Sequence, residues 1–181
     1  SSVLKTLQEK GWIESIECKP EIRDWSRQVE ADVDKPKLNE EQAIAIATVN
    51  SFDGFGCFLL EGVTGSGKTE VYLNLIKPVL EKGRQALVLV PEIGLTPQTI
   101  NRFRHRFNVP VEVIHSGLND SERLNAWLSA RDKAAGIVIG TRSALLTPFA
   151  ELGIIIVDEE HDASYKPVSY THLTLPTRDD V

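Results

Sequence analysis

The sequence predicts an α/β fold in which a mostly parallel sheet is flanked by helices around a phosphate-binding loop. The first observation behind this is the stretch Gly62-Val63-Thr64-Gly65-Ser66-Gly67-Lys68-Thr69, which follows the apolar run Cys57-Phe58-Leu59-Leu60 and opens a helical segment, residues 68–82. Strand, G-x-x-x-x-G-K-T, helix is the order a P-loop needs. The second is a pair of unbroken apolar runs, Gln85-Ala86-Leu87-Val88-Leu89-Val90 and Gly153-Ile154-Ile155-Ile156-Val157. Runs of that length without alternation suit strands buried on both faces, as parallel strands are. The third is Asp158-Glu159-Glu160-His161, placed directly after the second run.

Each part of the loop has a chemical reason. Glycines let the backbone bend tightly and keep side chains away from a bound phosphate. Successive N–H groups then form an anion nest, to which the N-terminus of the following helix adds its dipole. Lys68 brings a full positive charge to the β- and γ-phosphates, and Thr69 brings a hydroxyl to Mg²⁺. The competing reading is a Gly-rich turn that binds nothing, and the strand before the loop together with the Lys-Thr register speaks against it. Acidic residues at the tip of a buried strand downstream of a P-loop form a Walker B arrangement. Asp158 suits the hydration shell of magnesium, and Glu159 suits a general base that polarises the attacking water. The competing reading there is a solvated acidic turn.

Length and composition bound the rest. The chain has 181 residues, 41% hydrophobic and 25% charged, which fits one sizeable globular domain and part of another. No apolar run approaches the ~18 residues of a membrane span, and the start, Ser1-Ser2-Val3-Leu4-Lys5, has no signal-peptide pattern. Cys18 and Cys57 lack metal-ligand spacing and read as reduced, buried thiols of a cytosolic protein. The net charge of −6 gives no bulk support to nucleic-acid binding, which has to rest on local sites.

In chain order, Val3, Leu4 and Leu7 have helical spacing, Gly11 suits a C′ position, and Trp12-Ile13-Glu14-Ser15-Ile16 alternates like a strand. Residues 19–37, bracketed by Pro20 and Pro36 and mixed in charge, read as a linker, with Trp25 either docked or exposed. A helix opens after the N-cap Asn39, with Ala43, Ile44, Ala47 and Ile46 as its apolar face. Gln42 on it carries an amide that can pair with both N6 and N7 of adenine, although a solvated helix Gln is the simpler reading of the residue alone. Thr96-Pro97 starts a helix to about Phe107, with Ile100, Phe103 and Phe107 inward and Arg102 and Arg106 together on another face, where a basic pair can meet phosphates but a solvated face is the simpler reading. Residues 111–114 form a strand ending at His115. Asn119 or Ser121 caps a helix with Leu124, Trp127 and Leu128 inward. Residues 136–139 form a further strand, from whose C-terminal end Gly140-Thr141-Arg142 departs, at the edge where open parallel sheets gather ligands. The run 153–157 reads as a central strand.

Asp158-Glu159-Glu160-His161 resembles the DExH box of superfamily 2 helicases. The stretches 61–72, Val90-Pro-Glu-Ile-Gly-Leu-Thr-Pro-Gln98, His115-Ser-Gly-Leu118, Gly140-Thr-Arg-Ser-Ala144 and Asp158-Glu-Glu-His-Asp-Ala-Ser-Tyr-Lys166 resemble the PriA family of primosomal replication-restart helicases. The resemblance covers residues 38–166. It implies the first RecA-like helicase lobe of an ATP- and Mg²⁺-dependent 3′→5′ DNA helicase that rebuilds stalled forks. It places Gln42 in an adenine-reading motif, residues 62–69 on the nucleotide, and Thr96, Thr141 and Arg142 on the DNA backbone. It gives His161 the task of coupling hydrolysis to DNA. Implied partners are single-stranded and forked DNA, primosome proteins and single-strand-binding protein, in the bacterial cytoplasm and away from any membrane. Residues 1–18 then read as the C-terminal remnant of a winged-helix domain.

The chain also departs from that pattern. The resemblance is expected to stop at Lys166, before the family's Ser-Ala-Thr motif, second lobe, arginine finger and zinc-binding cysteines, so the zinc of the family has no ligands here. In the related fold the Ser-Ala-Thr strand lies between the strands at 58–60 and 154–157, so its loss leaves the sheet incomplete and the chain not a working motor. Residues 167–181 contain Val168-Ser-Tyr-Thr-His-Leu-Thr-Leu-Pro-Thr177, which resembles a translated transposase-type sequencing adapter and reads as an artefactual tail. Two other classes compete: a P-loop enzyme not driven by DNA, such as a nucleotide kinase, and a nucleotide- or DNA-binding fragment without catalysis. ATPase activity with and without single-stranded DNA separates them.

Overall fold

The computed structural model describes residues 2–14, 25, 29, 31, 36–63 and 65–165. Four parallel strands, β1 (Gln85–Leu89), β2 (Val111–Ile114), β3 (Ile137–Gly140) and β4 (Leu152–Val157), stand in the order β2-β3-β1-β4. The helices are α1 (Ser2–Glu9), α2 (Glu40–Asn50), α3 (Lys68–Glu81), α4 (Pro97–Arg106) and α5 (Asp120–Arg131). The fold is therefore the expected parallel sheet flanked by helices.

Period-two alternation sorts the core into two layers. Ala86, Val88 and Val90 face the side of α3 and α4, where they meet Tyr72, Leu73, Ile76, Leu80, Phe103 and Phe107. Leu87 and Leu89 face the other side, against Ala126 and Ala130 of α5. Every residue of β1 is buried, as its unbroken apolar run requires. The polar exception, Gln85, satisfies its whole amide. Its Nε2 donates to the carbonyls of Ala130 (2.9 Å) and Ala135 (2.7 Å), and its Oε1 accepts from the N–H groups of Ala150 (3.0 Å) and Glu151 (3.1 Å). One side chain thus ties the end of α5 to the turn that leads into β4.

Local signals behave as their chemistry dictates. Asn39 and Asn119 each cap a helix in a reciprocal box with the residue three positions on, Gln42 and Glu122. Thr96 caps α4 through Thr99 N–H, with Pro97 in the first turn. At the end of α1, Gly11 (φ 68°) donates to Gln8 O and Trp12 to Leu7 O, the paired bonds of a Schellman motif.

Several expectations are corrected. The run 153–157 is an edge strand, not a central one, and it leaves Ile155 and Val157 48% and 42% exposed. Residues 57–60 form no strand, and Phe58, Leu59 and the thiol of Cys57 are exposed. Both follow from one cause: among the described residues no strand stands between 57–60 and β4, and a lone extended segment has no ladder partner. Trp12-Ile13-Glu14 is likewise not a strand; Ser15 and Ile16 lie outside the described residues, as does the tail 167–181. Leu124 is exposed; Trp127 packs on the inner layer as expected and Leu128 is half-buried, while Ala126 and Ala130 supply the buried positions of α5. On α2 the half-buried positions are Gln42, Ala45, Ile46 and Val49, and the helix packs toward α3, whereas Ala43, Ile44 and Ala47 are exposed. In the stretch 19–37, Trp25 and Val29 are buried in the α3/α4 layer, and Trp25 Nε1 donates to Lys133 O (3.1 Å).

Replacing Gln85 by Leu removes four hydrogen bonds, two of them to the carbonyls of the buried residues Ala130 and Ala135. At about 1–3 kcal/mol for each stranded buried group, the loss of unfolding free energy should be about 2 kcal/mol or more, measured by chemical denaturation.

Candidate nucleotide site and sheet-edge cleft

The loop 62–67 turns on glycine. Gly65 and Gly67 have φ of 83° and 84°, a region that side-chain-bearing residues seldom enter. Gly67 is also the N-cap of α3 and offers no side chain to the first-turn N–H groups; Glu70 N–H donates to Gly67 O (2.9 Å), and those of Lys68 and Thr69 are left for an anion. Ser66 N–H donates to Val63 O (3.1 Å) and closes the turn. Lys68 curls over the loop, where Nζ donates to the carbonyls of Gly62 (2.6 Å) and Val63 (3.3 Å). The ammonium therefore lies at the mouth of the nest. Thr69 is half-buried in the first turn of α3, and Thr64 lies outside the described residues.

Gln42 reaches this loop from α2. Its Nε2 donates to Ser66 O (3.0 Å), while its Oε1 accepts from Asn39 N–H (3.0 Å). Both ends of the amide are engaged, which fixes its orientation beside the glycine turn. In the simpler reading Gln42 was solvated; here its amide is docked.

The acidic tip of β4 comes to the same helix. Asp158 N–H extends the ladder to Leu89 O (2.9 Å), and Asp158 O accepts from the Tyr165 hydroxyl (3.0 Å). The Tyr72 hydroxyl, one turn beyond Thr69 on α3, donates to Asp158 Oδ1 (3.1 Å). Burial, reinforced by the charge of Asp158, pushes the Tyr72 phenol far above its ordinary range, so it remains a donor. The same causes act on Tyr165. Glu159 takes a left-handed backbone (φ 49°) that carboxylate side chains visit rarely, and its side chain is exposed. His161 is exposed, with Nδ1 3.5 Å from Glu160 Oε2.

Arg106 departs most from expectation. Instead of lying on a solvated face with Arg102, it is 5% exposed and pairs with Glu70 at 3.0 Å. Asn74 Nδ2 supports the same carboxylate (3.0 Å). The residue after Thr69 is thus bolted to the end of α4. The available signal was position, because Arg106 is three residues past the buried Phe103 and shares its face. Tyr72 had the same kind of signal, three residues past Thr69.

Thr141 and Arg142 open onto a cleft at the C-terminal edge of the sheet. This cavity, about 450 Å³, is lined by Glu92, Ser116, Thr141, Arg142, Ser143 and Ser164, with Leu145 and Leu146 at its rim. A neighbouring groove of about 290 Å³ shares Glu92, Ser116 and Thr141 and runs to Leu95, Pro97 and His115. Thr141 is buried at the cleft floor, and Arg142 is exposed. Thr96 sits between Leu95 and Pro97, but its hydroxyl caps α4. Among the described residues, no group of three or more His, Cys, Asp or Glu side chains is arranged to hold a metal ion. A magnesium ion bound here would lean on nucleotide phosphates and one or two protein oxygens, as Mg²⁺ commonly does.

A parallel sheet with a glycine nest on one helix and carboxylates at the adjacent strand tip defines a P-loop nucleotide-binding lobe. The family model described as DEAD/DEAH box helicase matches residues 39–174, and the chain belongs to that family. The match passes the Lys166 boundary expected from the motifs. Over most of its length the chain is also similar to curated proteins named replication restart protein PriA. Identity is 50% over 172 residues with that of Haemophilus influenzae, covering 92% of this chain and 23% of the relative. It is 45% over 169 residues with that of Bacillus subtilis (92% and 21%) and 45% over 171 residues with that of Synechocystis (94% and 20%). The chain spans about a fifth of the length of these relatives.

Replacing Arg106 by Met strands the Glu70 carboxylate. Unfolding free energy should fall by about 3 kcal/mol, the scale for breaking a buried pair from one side. Adding Glu70→Gln should recover most of it, since the amide oxygen still accepts from Asn74; equilibrium denaturation of the single and double variants measures both.

Proposed function

We propose that this chain is the ATP-binding lobe of an ATP-dependent 3′→5′ DNA helicase that restarts replication at stalled forks in the bacterial cytoplasm. The observation that carries the reading is the hydrogen bond from Tyr72, on the P-loop helix, to Asp158 at the tip of β4, which draws the phosphate nest and the acidic box into one site. The similarity to replication-restart proteins over 92% of the chain supports the choice among helicases. No helix of the described residues is long and apolar enough to cross a membrane.

In this reading residues 62–69 hold the triphosphate of ATP: main-chain N–H groups and Lys68 take the phosphates, and Thr69 with Asp158 holds Mg²⁺. Bound magnesium would supply charge neutralisation of the phosphoryl oxygens. Gln42, fixed against Ser66, presents its edge to the adenine. Glu159 takes a proton from the attacking water, and its left-handed backbone and exposure leave the carboxylate unencumbered. His161, beside Glu159 and Glu160, reports the state of that site toward DNA. Single-stranded and forked DNA passes along the sheet-edge cleft, where Thr96, Thr141 and Arg142 meet its backbone together with main-chain N–H groups of the segments 91–98 and 140–142. Primosome proteins and single-strand-binding protein are the partners. The lobe spans 38–166, with the family match running on to residue 174; residues 1–18 belong to a preceding winged-helix domain, and 19–37 join the two.

In the full-length protein, Lys68→Ala should abolish ATP hydrolysis and unwinding while fork binding persists; wild-type hydrolysis by the variant would remove the P-loop assignment. Glu159→Gln should still bind nucleotide but hydrolyse it about 10²–10⁴-fold more slowly, the usual scale for a lost general base. Turnover that ignores single-stranded DNA would favour a P-loop enzyme of another kind.

A further inference from the structure

We propose that Tyr72 is a positioning residue for magnesium: its hydroxyl holds the Asp158 carboxylate in the one rotamer that serves the cation. The inference rests on the reading of Asp158 as the magnesium carboxylate and goes one residue beyond it. Three features of the geometry carry it. First, the Asp158 backbone is clamped on both sides, by its own N–H to Leu89 O (2.9 Å) and by the Tyr165 hydroxyl to its carbonyl (3.0 Å). The remaining freedom of the residue is rotation of its side chain. Second, that freedom is removed by a single donor, Tyr72 Oη at 3.1 Å from Oδ1. Among the described residues this is the protein donor the carboxylate has, so one oxygen is tied and the other is left for water or a cation. Third, the donor itself cannot wander. The Tyr72 ring is 9% exposed, in the layer formed by Leu73, Ile76 and Ile156.

The position of Tyr72 gives the arrangement its purpose. Thr69 and Tyr72 are three residues apart on α3 and so lie on neighbouring faces of one turn. A rigid helix therefore presents the hydroxyl of Thr69 and the hydroxyl that aims Asp158 from one body. Thr69 and Asp158, the two groups proposed for the same cation on different elements, are thereby set in register by one phenol. Donors that orient a metal-binding carboxylate without touching the metal act in this way generally.

The test is Tyr72→Phe in the full-length protein, which removes one oxygen and keeps the buried ring. The readouts are the Mg²⁺ concentration at half-maximal ATPase and, independently of turnover, the Mg²⁺ dependence of binding of a fluorescent ADP analogue. Both midpoints should rise about tenfold, at the low end of the range for lost outer partners of metal ligands. ADP affinity in EDTA, which reports the P-loop alone, should be unchanged, and kcat should recover at saturating Mg²⁺. A merely structural role would lower EDTA-state affinity and melting temperature together without moving the Mg²⁺ midpoints. That result, or unshifted midpoints in a variant that melts normally, would overturn the proposal. Asp158→Ala separates the two readings. It should raise the midpoints itself, and Tyr72→Phe added to it should have no further effect, because no carboxylate is left to aim. A further shift in the double variant overturns the role of Tyr72, whereas Mg²⁺ dependence untouched by Asp158→Ala overturns the magnesium reading along with it.

Discussion

The pairing of β1 with β4 is the constraint on which the site depends. In register from Ala86↔Ile154 to Leu89↔Val157, it carries the ladder one step further through Asp158 N–H and stops. Because β1 is buried along its whole length, it cannot slip without moving alternate residues into the wrong layer. The point at which β4 runs out of partner is thus fixed, and with it the place where three carboxylates enter solvent. From the other side, α3 packs on β1 through Ile76 and Leu80, both fully buried, so its N-terminal turn is held over the same sheet edge. Loop and acidic box meet because both are referred to one strand.

Much of this was legible in the sequence where the signal was local and periodic. Asn39, Thr96, Asn119 and Gly11 do what their side chains or lack of one dictate within three or four residues, and the apolar runs 85–90, 111–114, 136–139 and 153–157 each mark a strand. The parts that were not legible depend on who stands next to whom. An apolar run says that a strand wants burial on both faces, but not whether a partner is there to provide it; hence β4 reads as central and is an edge. The face chosen by α5 is settled by Ala126 and Ala130, because small residues let the helix approach the sheet while Leu124 is turned outward. Arg106 reads as solvated since charge on a helix usually is. Its burial is decided by a carboxylate on α3, 36 positions earlier in the chain, and no period reveals that.

The unpaired stretch 57–60 has a bearing on how the loop is supported. Where a ladder holds the strand that leads into a P-loop, the loop inherits its position from the sheet. Here, among the described residues, the nearer support is α2, through the Gln42 amide on Ser66 O, and the first turn of α3 itself. Asn39 fixes Gln42 from behind through the capping box, so one polar pair serves helix initiation and loop position together. The capping box, ordinarily a local stabiliser, is thereby recruited to hold a site in a different part of the chain.

The sheet-edge cleft gives the net negative charge a physical meaning. Its floor holds Thr141 and the Glu92 carboxylate, onto which the Ser116 hydroxyl is directed at 3.4 Å, and the cationic side chain among its lining residues is Arg142. A polyanion entering such a cleft gains little from bulk attraction and meets a carboxylate of its own sign. Favourable contact then has to come from groups whose charge is partial and directional: main-chain N–H groups at the 3₁₀ turns Glu92–Gly94 and Arg142–Leu146, and hydroxyls such as Ser143 and Ser164. Donors of this kind read the geometry of a phosphodiester chain rather than its charge density, and they release few counterions when they bind. Contacts of this kind hold a strand by position, whereas a basic patch would grip it wherever it lay.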